Sequence, residues 1–204
     1  LKGISMWDER YSAADFAYGD RPNDFLVERA AELTRGSCLC LAEGQGRNAV
    51  WLAQQGLSVT AIDQSEVGMR SATALAAQRC VAIETAVADL VDYDLGTEKW
   101  DTIISIFGHL PPTLRADVNR RIVNALKPGG TFLLEAYTPG QLDMKGVGGP
   151  SDGAMLMRAD MLKEELAGLD FLVAQETERE VDEGQYHHGL SAVVQILARK
   201  PIAE

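Results

Sequence analysis

Cys38–Asp63 reads CLCLAEGQGRNAVWLAQQGLSVTAID. Its first five residues, Cys38 to Ala42, form a short apolar run of the kind that makes a buried strand. Glu43-Gly44-Gln45-Gly46 then supplies a turn of small residues. Arg47 to Gln55 has a helical pattern, with Val50, Trp51 and Ala53 among its apolar positions, and Gly56 stands where a helix is capped. Leu57 to Ile62 predicts a second strand, ending in Asp63. The stretch is one β-α-β unit with a glycine turn after its first strand and an acid after its second.

That unit suits a nucleoside with an anionic tail. Glycines let the backbone approach a ligand closely. The free N–H groups and dipole at the helix start favour a carboxylate or phosphate. Asp63 lies 19 residues past Gly44, where a carboxylate at a strand tip can accept ribose hydroxyls. The plain alternative is an ordinary turn followed by a solvated Asp. Two cofactor classes fit the turn. Gly44-x-Gly46-x-x-Ala49 satisfies the dinucleotide fingerprint, and S-adenosylmethionine can seat its amino-acid tail on the same geometry.

The flanking sequence continues the alternation. N-terminal to the unit, Met6 to Asp20 mixes Trp7, Tyr11, Phe16 and Tyr18 with acids and shows no clean period. It reads as a helix on the domain edge or as a lid whose aromatics cover a ligand. Asn23 is placed to cap a helix from Asp24 to about Leu33. After Asp63, Ser65 caps a helix carrying Val67, Met69, Ala72, Leu75 and Ala76 at helical spacing. Val81 to Val87 is a third strand, followed by Ala88-Asp89-Leu90, and Asp89 is either a ligand group or a solvated turn residue. Trp100 to Phe107 is strongly β-prone and central. His109 follows it, at the strand end where α/β folds put their chemistry, or else as a loop cap. A helix from Thr113 to Leu126, a strand from Thr131 to Tyr137, a long loop from Thr138 to Asp152 and a helix from Arg158 to Gly168 follow. The length of that loop predicts a functional or mobile segment. Phe171 to Val181 and Leu190 to Arg199, joined by DEGQYHHG, form an antiparallel hairpin.

Composition narrows the partners. The chain has 204 residues, 46% hydrophobic and 24% charged, and a net charge of -11. One globular domain is expected. A nucleic-acid substrate is not, because phosphates demand a basic surface. No apolar run approaches the ~20 residues of a membrane span, and no signal peptide is read at the N-terminus. Cys38, Cys40 and Cys80 are odd in number and lack metal spacing, which predicts reduced thiols, no metal and a cytoplasmic setting. Residues 1–5 precede Met6 and are expected to be a cloning remnant. No repeat or low-complexity segment interrupts the chain.

Five strands alternate with helices and two close the chain as a hairpin, where a dinucleotide oxidoreductase usually adds a further parallel strand. With LAEGQGRNAVWLA, VTAID, VADL, WDTIISIFGHL and LKPGGTFLLEAYTP, the chain resembles the class I S-adenosylmethionine-dependent methyltransferases. Together with WDERY…YGDRPNDFL, it resembles most the small bacterial branch of the tellurite-resistance methyltransferases and, more distantly, the thiopurine methyltransferases. The resemblance implies an α/β, Rossmann-like sheet of seven mostly parallel strands, order 3-2-1-4-5-7-6, strand seven antiparallel, with helices on both faces. It implies a single domain, 1–204, with a helical lid over 6–35 and a catalytic core over 36–204.

The resemblance also assigns roles. Glu43, Gly44 and Gly46 would line the methionine moiety, and Trp7 and Tyr11 would close over it. Asp63 would hold the ribose, with Gln64 beside it. Asp89, with Ala88 and Leu90, would meet the adenine. Ile106 and Phe107 would pass near the sulfonium. His109 and His187 are the candidate general bases, while His188 would point elsewhere. Tyr18, Arg158 and the 138–152 loop would border a small-molecule acceptor, a thiol or a chalcogen oxyanion. Two positions depart from the family pattern: Cys40 replaces an acid and Ala42 a glycine. Glu43 is then the acid left to hold the methionine amino group. A nicotinamide-dependent oxidoreductase and a non-catalytic S-adenosylmethionine-binding regulator are the competing functions. The oligomeric state is not legible.

Overall fold

A computed structural model describes residues 2–12 and 16–202. Residue 1 of the expected remnant, residues 13–15 of the expected lid and residues 203–204 lie outside the described residues.

The helices are α1 (Lys2–Ser12), α2 (Asp24–Arg29), α3 (Arg47–Gln54), α4 (Glu66–Gln78), α5 (Pro112–Ala125) and α6 (Ala159–Glu165). The strands are β1 (Ser37–Leu41), β2 (Ser58–Asp63), β3 (Glu84–Val87), β4 (Trp100–Ile106), β5 (Leu126–Tyr137), β6 (Asp170–Asp182) and β7 (His188–Arg199). They form one seven-stranded sheet in the order β3-β2-β1-β4-β5-β7-β6. β7 runs antiparallel to both its neighbours and the other pairings are parallel. This is the predicted topology.

Strand alternation divides the core between the two faces of the sheet. Leu39 and Leu41 of β1 pack with Val118 and Ile122 of α5 and Leu162 of α6. Cys38 and Cys40, one residue out of phase, pack with Leu26 of α2, Leu52 of α3 and Met69 of α4. Cys40 is therefore a fully buried core residue.

Capping fixes the helix starts. Asn23 Oδ1 accepts the Leu26 N–H at 3.0 Å, and Ser65 Oγ accepts the Gly68 N–H at 3.0 Å. The predicted α2 is longer than the real one, because Ala30–Glu32 tightens into a 3-10 turn. β3 is shorter than expected. Cys80 adopts a left-handed φ of 56°, Val81 N–H bonds back to Ala76 C=O at 3.0 Å, and ladder pairing begins only at Glu84, opposite Thr60. The 138–152 loop is tied down: Val147 exchanges both backbone hydrogen bonds with His188, at 2.7 and 2.9 Å. Gly148 and Gly149 lie on the Tyr137 ring, and a Cβ on Gly148 would fall 2.0 Å from Tyr137 Oη. Among the described residues no helix is long and apolar enough to cross a membrane.

Candidate active site

The carboxyl ends of β1, β2 and β4 face a cavity of about 820 Å3, the crevice position expected of an open α/β sheet. α1, the 147–152 segment and the β6–β7 turn form its other walls.

At one end the walls are acidic. Asp63 closes β2, and its carboxylate braces the turn: Oδ2 accepts the Gly44 N–H at 2.9 Å and Oδ1 the Ser65 N–H at 2.8 Å. Burial holds its pKa above the usual carboxylate range. Glu43 is buried at the start of α3, where Oε1 accepts the N–H groups of Asn48 at 3.0 Å and Ala49 at 2.8 Å. It thus stabilises the helix start through its charge and its hydrogen bonds. Burial nonetheless lifts its pKa to about 7. Asp89 is exposed at the rim and caps its own turn, Oδ1 accepting the Val91 N–H at 2.9 Å. Gln64, Ala88, Leu90, Ile106 and Phe107 complete this side.

The two glycines of the turn are packed tightly on the side where a Cβ would stand. Gly44 has φ 61° and lies under α1, where a Cβ would be 2.6 Å from Tyr11 Oη. Gly46 has φ 89° and faces α4, where a Cβ would be 2.5 Å from Ala72 Cβ. Both glycines are required by close packing and a left-handed backbone. Tyr11 covers the turn and stacks on Trp7 at 5.8 Å. Burial, then the nearby Asp63 charge, raises its hydroxyl pKa. α1 is fastened to the start of α4 by Asp8, whose Oδ1 accepts from Ser65 Oγ and from the Val67 N–H at 3.3 Å.

The other end is aromatic and holds His187. Its ring lies 4.5 Å from Tyr18, 4.5 Å from Phe107 and 5.3 Å from Tyr137. It is buried, and its Nδ1 has no hydrogen-bond partner among the described residues. Burial, then the Arg47 charge, drives its pKa well below the ordinary histidine value. The ring is neutral at physiological pH and can accept or donate a hydrogen bond. Phe107 is held in this wall by a left-handed φ of 53°, a local strain of the kind found at functional sites. Ala42, at φ 49°, takes the conformation that the family's glycine would take without strain.

His109 also borders the cavity, but both its ring nitrogens are committed. Nδ1–H donates to Phe107 C=O at 3.1 Å, and Nε2 accepts the Tyr137 N–H at 3.0 Å. Burial depresses its pKa to about 4. It ties the ends of β4 and β5 together, so its reading as a general base gives way to the loop-cap alternative. Arg158, expected near the acceptor, is exposed and pairs with Asp160 at 3.0 Å. Tyr18 and the 147–152 segment do line the cavity, and His188 is exposed.

Sequence reasoning missed the buried ionic cluster that joins the two ends. Glu135 of β5 is fully buried and accepts from Arg179 Nε at 2.9 Å, Arg179 Nη2 at 2.7 Å and Gln195 Nε2 at 2.8 Å. Asn23 Nδ2 donates to Glu135 at 2.5 Å and to Glu183 at 2.8 Å. Glu183 also pairs with Arg179 at 2.8 Å and with Arg47. Arg47 and Asn48 thus link the glycine turn to the hairpin that carries His187. The Arg47-Asn48 pair in the sequence was the available signal, but its partners lie up to 136 residues away.

A family described as a methyltransferase domain matches residues 38–130. No curated protein matches the sequence. Among solved structures the fold is similar to that of TehB from Haemophilus influenzae, with 24% identity, a TM-score of 0.73 and coverage of 87% of this chain and 62% of that one. It is similar to a structure concerned with converting a disulfide bond into a thioacetal group during echinomycin biosynthesis, with 18% identity, a TM-score of 0.78 and coverage of 98% and 93%. A SAM-dependent methyltransferase from Methanosarcina mazei matches with 17% identity, a TM-score of 0.67 and coverage of 87% and 98%.

Proposed function

We propose that this S-adenosylmethionine-dependent methyltransferase methylates a small, soft nucleophile, a thiol or a chalcogen oxyanion. The observation that carries the reading is the cavity of about 820 Å3 with an acidic end and an aromatic end. Its size falls in the range of ~300–1,000 Å3 typical of small-molecule sites.

The residues present fit the cofactor. Each Asp63 oxygen takes one backbone N–H, and a carboxylate oxygen has a further lone pair for a ribose hydroxyl. The Asp89 carboxylate, at the exposed rim, receives the adenine amino group. Glu43 holds the methionine amino group through the oxygen that α3 leaves free. Trp7 and Tyr11 cover that end, and Ile106 and Phe107 flank the reacting centre.

S-adenosylmethionine supplies a methyl group on a sulfonium, which departs as a neutral thioether. The acceptor's lone pair forms the new bond to the methyl carbon. The carbon–sulfur bond that breaks leaves its electron pair on the cofactor sulfur. A thiol acceptor gives up its proton to water. With so good a leaving group, the protein's task is to align nucleophile, methyl and sulfur and to exclude water. Phe107, Tyr18 and Met155 give the acceptor an apolar, polarisable chamber. His187 lines the same chamber as a neutral ring. The structural relative that converts a disulfide to a thioacetal acts at sulfur, and the tellurite-resistance resemblance points to a heavier chalcogen.

Calorimetric titration with S-adenosylmethionine, S-adenosylhomocysteine and NADH tests the site. Micromolar binding of the first two is expected, weakened more than ~100-fold in Asp63→Ala by loss of charge-assisted hydrogen bonds. Binding of NADH alone would overturn the reading. S-adenosylhomocysteine release with thiols, selenite and tellurite then identifies the acceptor class. No release with any of them would favour the regulatory alternative.

A further inference from the structure

The aromatic wall of the cavity carries an arginine that has no ion-pair partner among the described residues. Arg10 of α1 lies with its guanidinium carbon 5.0 Å from the Trp7 ring centroid and 4.7 Å from that of Tyr186. Its side-chain hydrogen bond goes to Tyr18 Oη at 2.9 Å. The chain has 30 acidic residues, yet among the described residues none pairs with Arg10. Arg47, the other arginine lining the cavity, is neutralised by Glu183.

A guanidinium stacked on aromatic faces keeps its in-plane N–H donors free. Here those donors border a cavity, next to Tyr18 and Tyr186, and Tyr18 is in turn 4.5 Å from His187. The acids lining the cavity lie elsewhere. Glu43 and Asp63 brace the glycine turn, Asp89 sits at the exposed rim beyond β3, and Asp152 is exposed and caps its own turn. In a protein of net charge -11, a cation without an ion-pair partner among the described residues is a selective feature inside a cavity, because it supplies a local attraction for an anionic group.

We propose that Arg10 selects an acceptor bearing a carboxylate or another oxyanion group, and orients its nucleophilic atom toward His187 and Phe107. The assignment rests on the methyltransferase reading of the cavity. It makes Arg10 a specificity determinant, and it links recognition to the lid, since Arg10 bridges α1 and the β6–β7 turn.

Binding to the protein saturated with S-adenosylhomocysteine tests this without turnover. The probes are 4-(methylthio)benzoate and its neutral counterpart 4-(methylthio)benzamide, both shaped like methylated products. The carboxylate is expected to bind about tenfold tighter or more, as a charge-assisted contact requires. The ratio should fall toward one in Arg10→Gln and recover in part in Arg10→Lys, which keeps the charge. Equal binding of the two probes to the wild type, or no binding of the carboxylate at millimolar concentration, overturns the proposal. So does a ratio that survives Arg10→Gln; if S-adenosylhomocysteine itself is then weakened, the guanidinium serves the cofactor's own carboxylate. Failure of S-adenosylhomocysteine to bind the wild type would sink the methyltransferase reading first, a different result from any of these.

Discussion

Glu43 shows how one side chain serves both fold and site. Its Oε1 satisfies two N–H groups at the start of α3, while burial lifts its pKa to about 7. Below that pH the folded protein without ligand carries Glu43 protonated, and an ammonium group placed against it favours the ionised form. Binding of S-adenosylmethionine then releases a proton below pH 7 and none above. Affinity is expected to rise with pH by up to about tenfold per unit between roughly pH 5 and 7, and to level off beyond. Titrations across that range check it, and Glu43→Gln should flatten the profile. A profile unchanged in that variant would remove Glu43 from amino-group recognition. The two histidines illustrate what residue type alone conceals. Both follow aromatic or glycine-rich turns in the sequence, but one spends both nitrogens on backbone groups and the other leaves Nδ1 unpartnered. Only the tertiary neighbours separate a brace from a candidate reactive group.

At the scale of elements, β5, β6, β7 and the segment before α2 are joined by the buried cluster around Glu135. Truncating one member of such a cluster strands its partners in a low-dielectric interior. Arg179→Met would leave Glu135 without a cation and Glu183 with Arg47 alone, and is expected to cost about 3–5 kcal/mol of unfolding free energy. Arg70→Ala breaks an i,i+4 pair with Glu66 whose two side chains are each 67% exposed, and should cost less than ~0.5 kcal/mol. Urea denaturation of the two variants side by side measures the contrast, and similar losses would mean that the buried cluster is no more than a surface-like contact. The individual elements were largely legible: β1, α3, β2, α4 and β4 lie within a residue or two of their predicted bounds, because each has a clear period and a capping or turn residue at its end. α2 and β3 were overdrawn, since a 3-10 turn and a returning edge segment look the same as helix and strand in a short window.

At the scale of the molecule, ligand and lid should stabilise each other. A saturating ligand that binds only the folded state adds RT ln(1 + [L]/Kd), about 2.7 kcal/mol at a hundred times Kd. For a domain of this size that corresponds to a rise in Tm of roughly 5–10 °C. S-adenosylhomocysteine is expected to produce it in the wild type, with slower hydrogen exchange in residues 2–12, and to produce little in Asp63→Ala. A Tm that does not move at saturation would count against a site that couples lid to core. The sequence by itself determined the class of sheet, its strand order through the resemblance, the glycine turn and the acid at β2. Those features are local, written in period, spacing and turn chemistry over a few tens of residues. Only the tertiary structure decided that Gly44 packs against Tyr11 and Gly46 against α4, that His109 is a brace, and that Arg10 meets Tyr186. These depend on contacts between segments distant in the chain, and the physical reason is the same in each case: what a polar side chain can do is set by which partners packing leaves within reach of it.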